Sequence, residues 1–437
     1  MARSCILVLL DGLGDRAYAS LQGKTPLQAA RTPHLDRLAS MGSNGLFQAI
    51  RPGLALPSEN AHFAMFGYEQ AEFPGRGYLE AAGAGLAPDR EDVALLAHFV
   101  SLERQGNTLQ LIRHRPKAEA DEQEAFARLL ASYTNTKGEI DVRYHRTHGL
   151  DGIVIMKGLV SPAITDSDPL ETETPLVEVE PWQDASGDVR ALDTAAALKS
   201  YLRWCHEQLA AHPANIRRRK RGEPEINGIV TQRAGRWRQV DSFRERWGMQ
   251  GLSISSGLMY WGLASFVGMD WQKVPDSPDP GHDLAERLRL AKSRAEDYEF
   301  IHVHSKAPDV AGHSKNPSNK VAAIESLDRG LGKVIEELLA DDIVLVVTAD
   351  HSTPSSGPLV HSGEPVPFTV VGRGIRRDNV FLFDEICCAG GALGMLQGAD
   401  LMYLVLNWLD RAKLQGLMDT PRNQPFWPGI RKPFMLD

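Results

Sequence analysis

Apolar residues fall along this chain in short runs that stop abruptly at acids, histidines and glycines. "ILVLL" at 6–10 runs into "DGLGDR", and "IVLVV" at 343–347 runs into "TADHSTPSSGPLVHSG". "YEFIHVHSKAPD" (298–309) has the same form, an apolar strand with a polar exit. Such continuous runs, bounded by turn formers, predict strands buried on both faces, as in a parallel sheet. Between them lie stretches with helical spacing. In "RTPHLDRLASMGSNG" Thr32 is placed to cap a helix, Pro33 to open it and Gly42 to close it in a left-handed turn. "SNKVAAIESLDRGLGKVIEELLADD" carries apolar residues at helical spacing before the "IVLVV" strand. "PFTVVGRGI" predicts a further strand, and "DLMYLVLNWLDRAK" a C-terminal helix. Strand, loop and helix in that order build an α/β fold with a mostly parallel sheet flanked by helices.

The pattern changes between residues 76 and 240. Alternating runs ("DVALLAHFVSLE", "DGIVIMKGL"), an acidic loop ("DSDPLETETPLVEVE") and a long helix ("TAAALKSYLRWCHEQLAAH") predict an α+β domain there. The expected organisation is a discontinuous α/β domain, 1–75 with 241–437, interrupted by an inserted domain, 76–240.

Composition limits the function classes. A chain of 437 residues exceeds one ordinary core. Its formal charge of -8 argues against a nucleic-acid partner, which would call for a basic excess. The one basic run, "RRRKRG" at 217–222, reads as a solvated helix face. Cys5, Cys205, Cys387 and Cys388 form no C-x-x-C pair, so reduced thiols in a cytoplasmic protein are expected. The "CILVLL" stretch is too short for a signal peptide's apolar core. No run approaches the ~18 apolar residues of a membrane span, so no membrane association is expected.

The strand ends carry the candidate chemistry. Asp11, Asp309, His313, Asp350, His351 and His361 all follow predicted strands closely. In an open parallel sheet ligands bind beyond the carboxyl ends of the strands, so these groups would share one rim. Any one of them has a plain explanation, since Asp commonly caps a helix or forms a turn there. Three carboxylates with three imidazoles do not, unless cations hold them together. Mixed His and Asp donors suit zinc or manganese better than calcium. Six donors suit two ions, and two ions about 4 Å apart suit displacement at phosphorus. "LPSENAHFAMFGY" offers a nucleophile, Ser58, which could equally cap the helix it begins.

Together, "LLDGLGDR", "PSENAHFAMFGY", "KAPDVAGH" and "TADHSTPSSGPLVHSGEPVPF" resemble, in order and spacing, the archaeal type of cofactor-independent phosphoglycerate mutase of the alkaline phosphatase superfamily. The resemblance spans nearly the whole chain, including "HPANIRRRKRGEPEINGIVTQRAGRW". It implies an alkaline-phosphatase-like sheet with an inserted α+β lid. It also implies two divalent ions, manganese or zinc with magnesium or cobalt as alternatives. Asp309, His313 and His361 would hold one. Asp11, Asp350, His351 and the nucleophile Ser58 would hold the other. The implied reaction is interconversion of 3-phosphoglycerate and 2-phosphoglycerate through a phosphoserine, in glycolysis.

The resemblance thins at the substrate motifs. An arginine-rich segment is replaced by "LIRHRPKAEAD", "LLAH" stands at 95–98 in place of "FRCN", and Trp261 replaces an expected lysine. A glycine-rich turn becomes "PDSPDPG". The remaining basic candidates for a small phosphorylated substrate are Arg113, Arg115, Arg146, Arg233, Arg236 and Lys306. A mutase or phosphohydrolase of another small phosphate monoester is the alternative. A non-catalytic protein that keeps its metals for structure is a third reading, disfavoured because structural zinc sites are closed.

Overall fold

The computed structural model describes residues 3–134, 139–339, 342–429 and 431–436. The chain packs as two compact units, Met1–Phe73 with Val240–Asp437, and Pro74–Gln239.

The larger unit is built on an eight-stranded sheet. Across it run Asp270–Lys273, Gly251–Ser255, Phe300–Ser305, Ser4–Leu10, Ile343–Thr348, Val366–Val371, Ser43–Gln48 and Gly394–Gln397. Only Val366–Val371 runs against the rest, pairing antiparallel with both its neighbours. Ser4–Leu10 sits centrally, with Cys5 opposite Phe300 on one side and Val344 on the other. All seven of its residues are buried. That is why the run reads as continuously apolar: neither face meets water.

Two helix expectations are corrected. The helix Pro33–Met41 does begin after Thr32, but the Thr32 side chain makes no cap. Asp328 does it from a distant helix, its Oδ1 accepting from His34 N (3.1 Å) and Leu35 N (2.8 Å). Gly42 ends the helix with an extended φ of -115° rather than a left-handed turn. Glycine is needed there for space, because a Cβ would lie 2.1 Å from the Val370 carbonyl oxygen. The stretch of helical spacing before "IVLVV" forms two helices, Pro317–Gly332 and Ile335–Leu339. The C-terminal helix spans Asp400–Trp408.

The smaller unit holds an antiparallel sheet: Tyr133–Thr134, Ile140–His148, Asp151–Gly158, Val93–Gln105, Thr108–His114 and Thr174–Pro175, with Gly228–Gly235 also on Val93–Gln105. Phe99, Val142 and Val154 of this sheet share an apolar core with Phe126 of Ala120–Leu129 and with Leu198 and Tyr201 of Val189–Ala211. The basic run is not wholly solvated. Arg218 is buried, donating to Glu122 Oε2 (2.7 Å) and to the Pro224 and Lys117 carbonyls (2.7 and 2.8 Å). An ion pair with its remaining donors satisfied by carbonyls makes that burial tolerable. Among the described residues no helix is long and apolar enough to cross a membrane.

Candidate active site

Asp11 follows Ser4–Leu10, Lys306 follows Phe300–Ser305, and Asp350 lies just past Ile343–Thr348. These three neighbouring strands are parallel, so their polar exits meet at one rim of the sheet. The next strand, Val366–Val371, runs back from that rim. The loop between, with His351 and His361, therefore stays at the site.

The turn after Asp11 is tight. Gly12 has a φ of +65°, and a Cβ on it would lie 2.5 Å from Thr353 Oγ1 and 2.8 Å from Asp309 Cβ. Only glycine permits both the backbone angle and the approach. Its N–H donates to Asp350 Oδ1 at 3.0 Å. Lys320, fully buried, donates at 2.8 Å to both Gly14 O and Thr353 O, fastening the two rim loops together.

The rim groups form two sets. Asp309, His313 and His361 have ligand atoms within 4.8 Å of one another, as have Asp11, Asp350 and His351. In the first set Asp309 Oδ1 lies 3.2 Å from His313 Nε2 and 3.4 Å from His361 Nε2. In the second, His351 Nε2 lies 3.5 Å from Asp11 Oδ1 and 3.2 Å from Asp350 Oδ2. The sets adjoin, since the His351 and His361 rings stack at 3.8 Å. His361 Nδ1 is 2.7 Å from the Leu56 carbonyl. That contact fixes the tautomer and leaves Nε2 free as a donor atom.

Ser58 is the first residue of the helix Ser58–Met65, and Pro57 occupies the cap position. The serine hydroxyl does not cap. Its Oγ lies 3.0 Å from His351 Nε2 and 3.5 Å from Asp11 Oδ1, buried in the second set. One turn on, His62 Nδ1 is 2.8 Å from the Ser58 carbonyl and 3.3 Å from Asp350 Oδ2.

Several residues here escaped the sequence reading. His304 Nε2 is 2.9 Å from Asp11 Oδ2, and the Tyr260 hydroxyl donates to the same oxygen. Buried Arg287 donates to the His304 carbonyl at 2.6 Å and to Asp276 Oδ1 at 2.6 Å. A signal for two of them existed. His62 lies four residues after Ser58, on the same helix face, and His304 alternates with His302 along one strand face.

Electrostatics follow from this crowding. Burial would raise the pKa of Asp11, but Lys306 and His304 outweigh it and hold the carboxyl below its ordinary range. Burial likewise opposes ionisation of Asp309, and His313, His361 and Lys306 overcome it. His351 is pushed down by burial, which keeps its imidazole neutral and able to ligate. Lys306 Nζ lies 3.1 Å from Asp309 Oδ2 and 3.5 Å from Asp11 Oδ2, so it spans both sets.

The proposed substrate arginines all belong to the smaller unit. Arg113 and Arg146 are exposed, and Arg146 donates to Gln123 Oε1 at 3.3 Å. Arg115 donates to Asp151 Oδ1 at 2.6 Å. Arg233 has a φ of +54° and its N–H donates to Asp166 Oδ1 at 2.6 Å. Arg236 is half-buried, donating to the Val160 carbonyl and lying 3.5 Å from Glu91. In the larger unit, Trp261 donates to the Ser255 carbonyl at 2.8 Å, and Lys273 Nζ lies 4.4 Å over its ring.

The metalloenzyme superfamily profile matches residues 3–408. A 2,3-bisphosphoglycerate-independent phosphoglycerate mutase 2 of Methanocaldococcus jannaschii is 39% identical over 433 residues, covering 97% of each chain. The chain belongs to the 2,3-bisphosphoglycerate-independent phosphoglycerate mutase family. The Methanopyrus kandleri phosphoglycerate mutase of that name is 35% identical, covering 95% of this chain and 99% of its own. The fold is similar to a solved Pyrococcus horikoshii protein (TM-score 0.78, 28% identity, 95% of this chain and all of that one). It is also similar to the cofactor-independent phosphoglycerate mutase of Thermoplasma acidophilum (TM-score 0.64, 28% identity, 94% of this chain and all of that one).

This member of the mutase family carries the donors a divalent metal requires. Asp350 Oδ2 is a buried carboxylate oxygen without a well-placed hydrogen-bond donor, with His351 Nε2 at 3.2 Å and His62 Nδ1 at 3.3 Å. Leaving such a group unsatisfied costs about 1–3 kcal/mol or more, and a cation removes that cost. His, Asp and Ser donors together fit a d-block ion better than an all-oxygen site does.

Proposed function

We propose that this chain interconverts 3-phosphoglycerate and 2-phosphoglycerate independently of 2,3-bisphosphoglycerate, through a phosphoserine on Ser58. The observation that carries this reading is the seating of Ser58 Oγ between His351 and Asp11 at a helix start. A helix N-terminus favours the phosphoryl anion, and the buried rim excludes competing water.

Two divalent ions, manganese or zinc with magnesium or cobalt as alternatives, would be held by Asp309, His313 and His361 and by Asp11, Asp350, His351 and Ser58. When bound they supply positive charge for the phosphoryl oxygens and lower the cost of ionising the serine. Ser58 Oγ gives up its proton and attacks phosphorus, and the bond from phosphorus to the substrate oxygen breaks. That oxygen takes a proton to become the glycerate hydroxyl. The other hydroxyl then loses its proton and attacks, the Ser58 Oγ–P bond breaks, and Ser58 regains its proton. Lys306, Arg113, Arg115, Arg146, Arg233 and Arg236 are the proposed substrate-binding residues. A cytoplasmic place in glycolysis goes with this reaction.

The test is isomerisation of 3-phosphoglycerate by metal-loaded protein, without added bisphosphate, coupled to detection of 2-phosphoglycerate. Quenching during turnover should leave phosphate on the peptide containing Ser58. Failure to turn over 3-phosphoglycerate, while another phosphate monoester reacts, would overturn the substrate and keep the chemistry.

A further inference from the structure

The smaller unit contains a cluster that the reaction above does not use. His98, on the strand Val93–Gln105, and His114, at the end of Thr108–His114, meet with His98 Nε2 and His114 Nδ1 2.9 Å apart. Val100 pairs with His114 across the ladder, so His98 and His114 are diagonal neighbours. Asp168 Oδ2 lies 3.7 Å from His98 Nε2, and all three donor atoms fall within 4.8 Å of one another. The His98 and Asp168 side chains are 6% and 1% exposed.

We infer that His98, His114 and Asp168 form a separate binding site for a zinc-class divalent cation within the smaller unit. Ligands of a tetrahedral zinc at ordinary bond lengths stand about 3.3 Å apart, and the observed separations bracket that value. Outer contacts orient the donors as metal sites require. His114 Nε2 is 3.1 Å from the Leu170 carbonyl, which fixes its proton there and turns the Nδ1 lone pair inward. Gln232 Nε2 donates to Asp168 Oδ2 at 2.6 Å, and Leu170 N–H donates to Oδ1 at 2.8 Å. Binding needs only that the His98 proton sit on Nδ1.

A hydrogen-bonded imidazole pair would explain the two histidines without a cation. It does not account for the placing of Asp168 Oδ2, which Gln232 holds at 2.6 Å and which stands 3.7 Å from His98 Nε2, too far for a direct bond but a separation that an intervening ion fits. The guanidinium of Arg115 is drawn to Asp151 at 2.6 Å, which lessens its repulsion of a cation here. Three protein ligands leave one tetrahedral position for water or another oxygen.

The experiment is metal content of the full-length protein after zinc loading and extensive buffer exchange, measured by elemental analysis. His98→Ala, Asp168→Asn and His114→Gln should each hold one zinc fewer than wild type, whatever the number bound elsewhere. Zinc should also raise the wild-type melting temperature by more than it raises that of the variants. Because His114 is only partly buried, His114→Gln is the variant least exposed to misfolding and decides the matter if the others do not fold. Wild-type zinc content retained by folded His114→Gln would overturn the site. That outcome would leave the Asp309 and Asp350 groups, and the proposed reaction, untouched.

Discussion

Ser58 Oγ stands 3.0 Å from His351 Nε2, although 293 residues separate them in sequence. Neither residue arrives there by local preference. Ser58 is delivered by a helix start behind a proline, and His351 by the exit of a central strand. The contact exists because the sheet's strand ends form one rim.

Replacing Ser58 by alanine should reduce turnover by at least about a thousandfold, the scale expected when a covalent nucleophile is lost. Metal content should hold, because Asp11, Asp350 and His351 keep their donor atoms within 4.8 Å of one another. Steady-state rates and elemental analysis on one preparation check both halves. More than a tenth of wild-type turnover would remove Ser58 from the covalent role.

Much of this site was legible because strand exits are marked in sequence by an abrupt change from apolar to polar. "LLDG" and "VVTADH" announced themselves that way. Tyr260 did not, because it sits in an apolar helix, Leu258–Phe266, and its hydroxyl reaches Asp11 only through tertiary packing. Lys320 and Arg287 were hidden for a related reason. Both are charged residues at helical positions that read as solvent-facing, yet both are buried with carbonyl partners. Gly42 shows the converse error. Its position suggested a left-handed cap, and only the neighbouring Val370 strand reveals that space was the constraint.

His361→Ala should release one metal ion relative to wild type and leave the Asp11, Asp350 and His351 group loaded. His361 Nε2 faces Asp309 Oδ1 at 3.4 Å, and its ring only stacks on His351. Elemental analysis after gentle chelation measures this. Unchanged content, or loss of both ions at once, would contradict the division into two sets.

Tyr260→Phe removes a donor to buried, ionised Asp11 without changing the ring. A hydrogen bond to a charged group contributes about 1.5–3 kcal/mol, so the denaturation midpoint should fall accordingly. The His304 contact at 2.9 Å should keep Asp11 ionised. A variant as stable as wild type would mean that this donor is redundant.

Glu385 makes the larger unit sensitive to pH. Burial pushes its carboxyl up to about 7, and donors from Thr25 (2.8 Å) and Asp15 N–H (3.3 Å) only partly offset that. An acid whose folded pKa lies above its unfolded value of 4.5 favours folding most below 4.5 and loses that contribution as pH rises through 7. Glu385→Gln should therefore flatten the fall in melting temperature between pH 4.5 and 7. An unchanged slope would assign the pH dependence to other groups.

The last prediction concerns how the phosphoserine is used. A mutase must retain glycerate until it is rephosphorylated, and retention of a small carboxylate calls for free guanidinium forks. Here Arg115 is engaged by Asp151, and Arg236 by the Val160 carbonyl and Glu91. Trp261 occupies the position of an expected lysine, with Lys273 over its ring as the nearby cation. Each charge-assisted bond that is missing costs about 1.5–3 kcal/mol, roughly ten- to a hundredfold in retention. Isomerisation should therefore be slow, with inorganic phosphate and free glycerate released as the phosphoserine meets water. The measurement is a coupled assay from 3-phosphoglycerate, with and without 2,3-bisphosphoglycerate, read for 2-phosphoglycerate and phosphate together. Lys273→Ala should increase the phosphate share if that ammonium helps to hold the carboxylate. Fast, bisphosphate-independent isomerisation with no phosphate released would mean that the basic residues present suffice to hold glycerate.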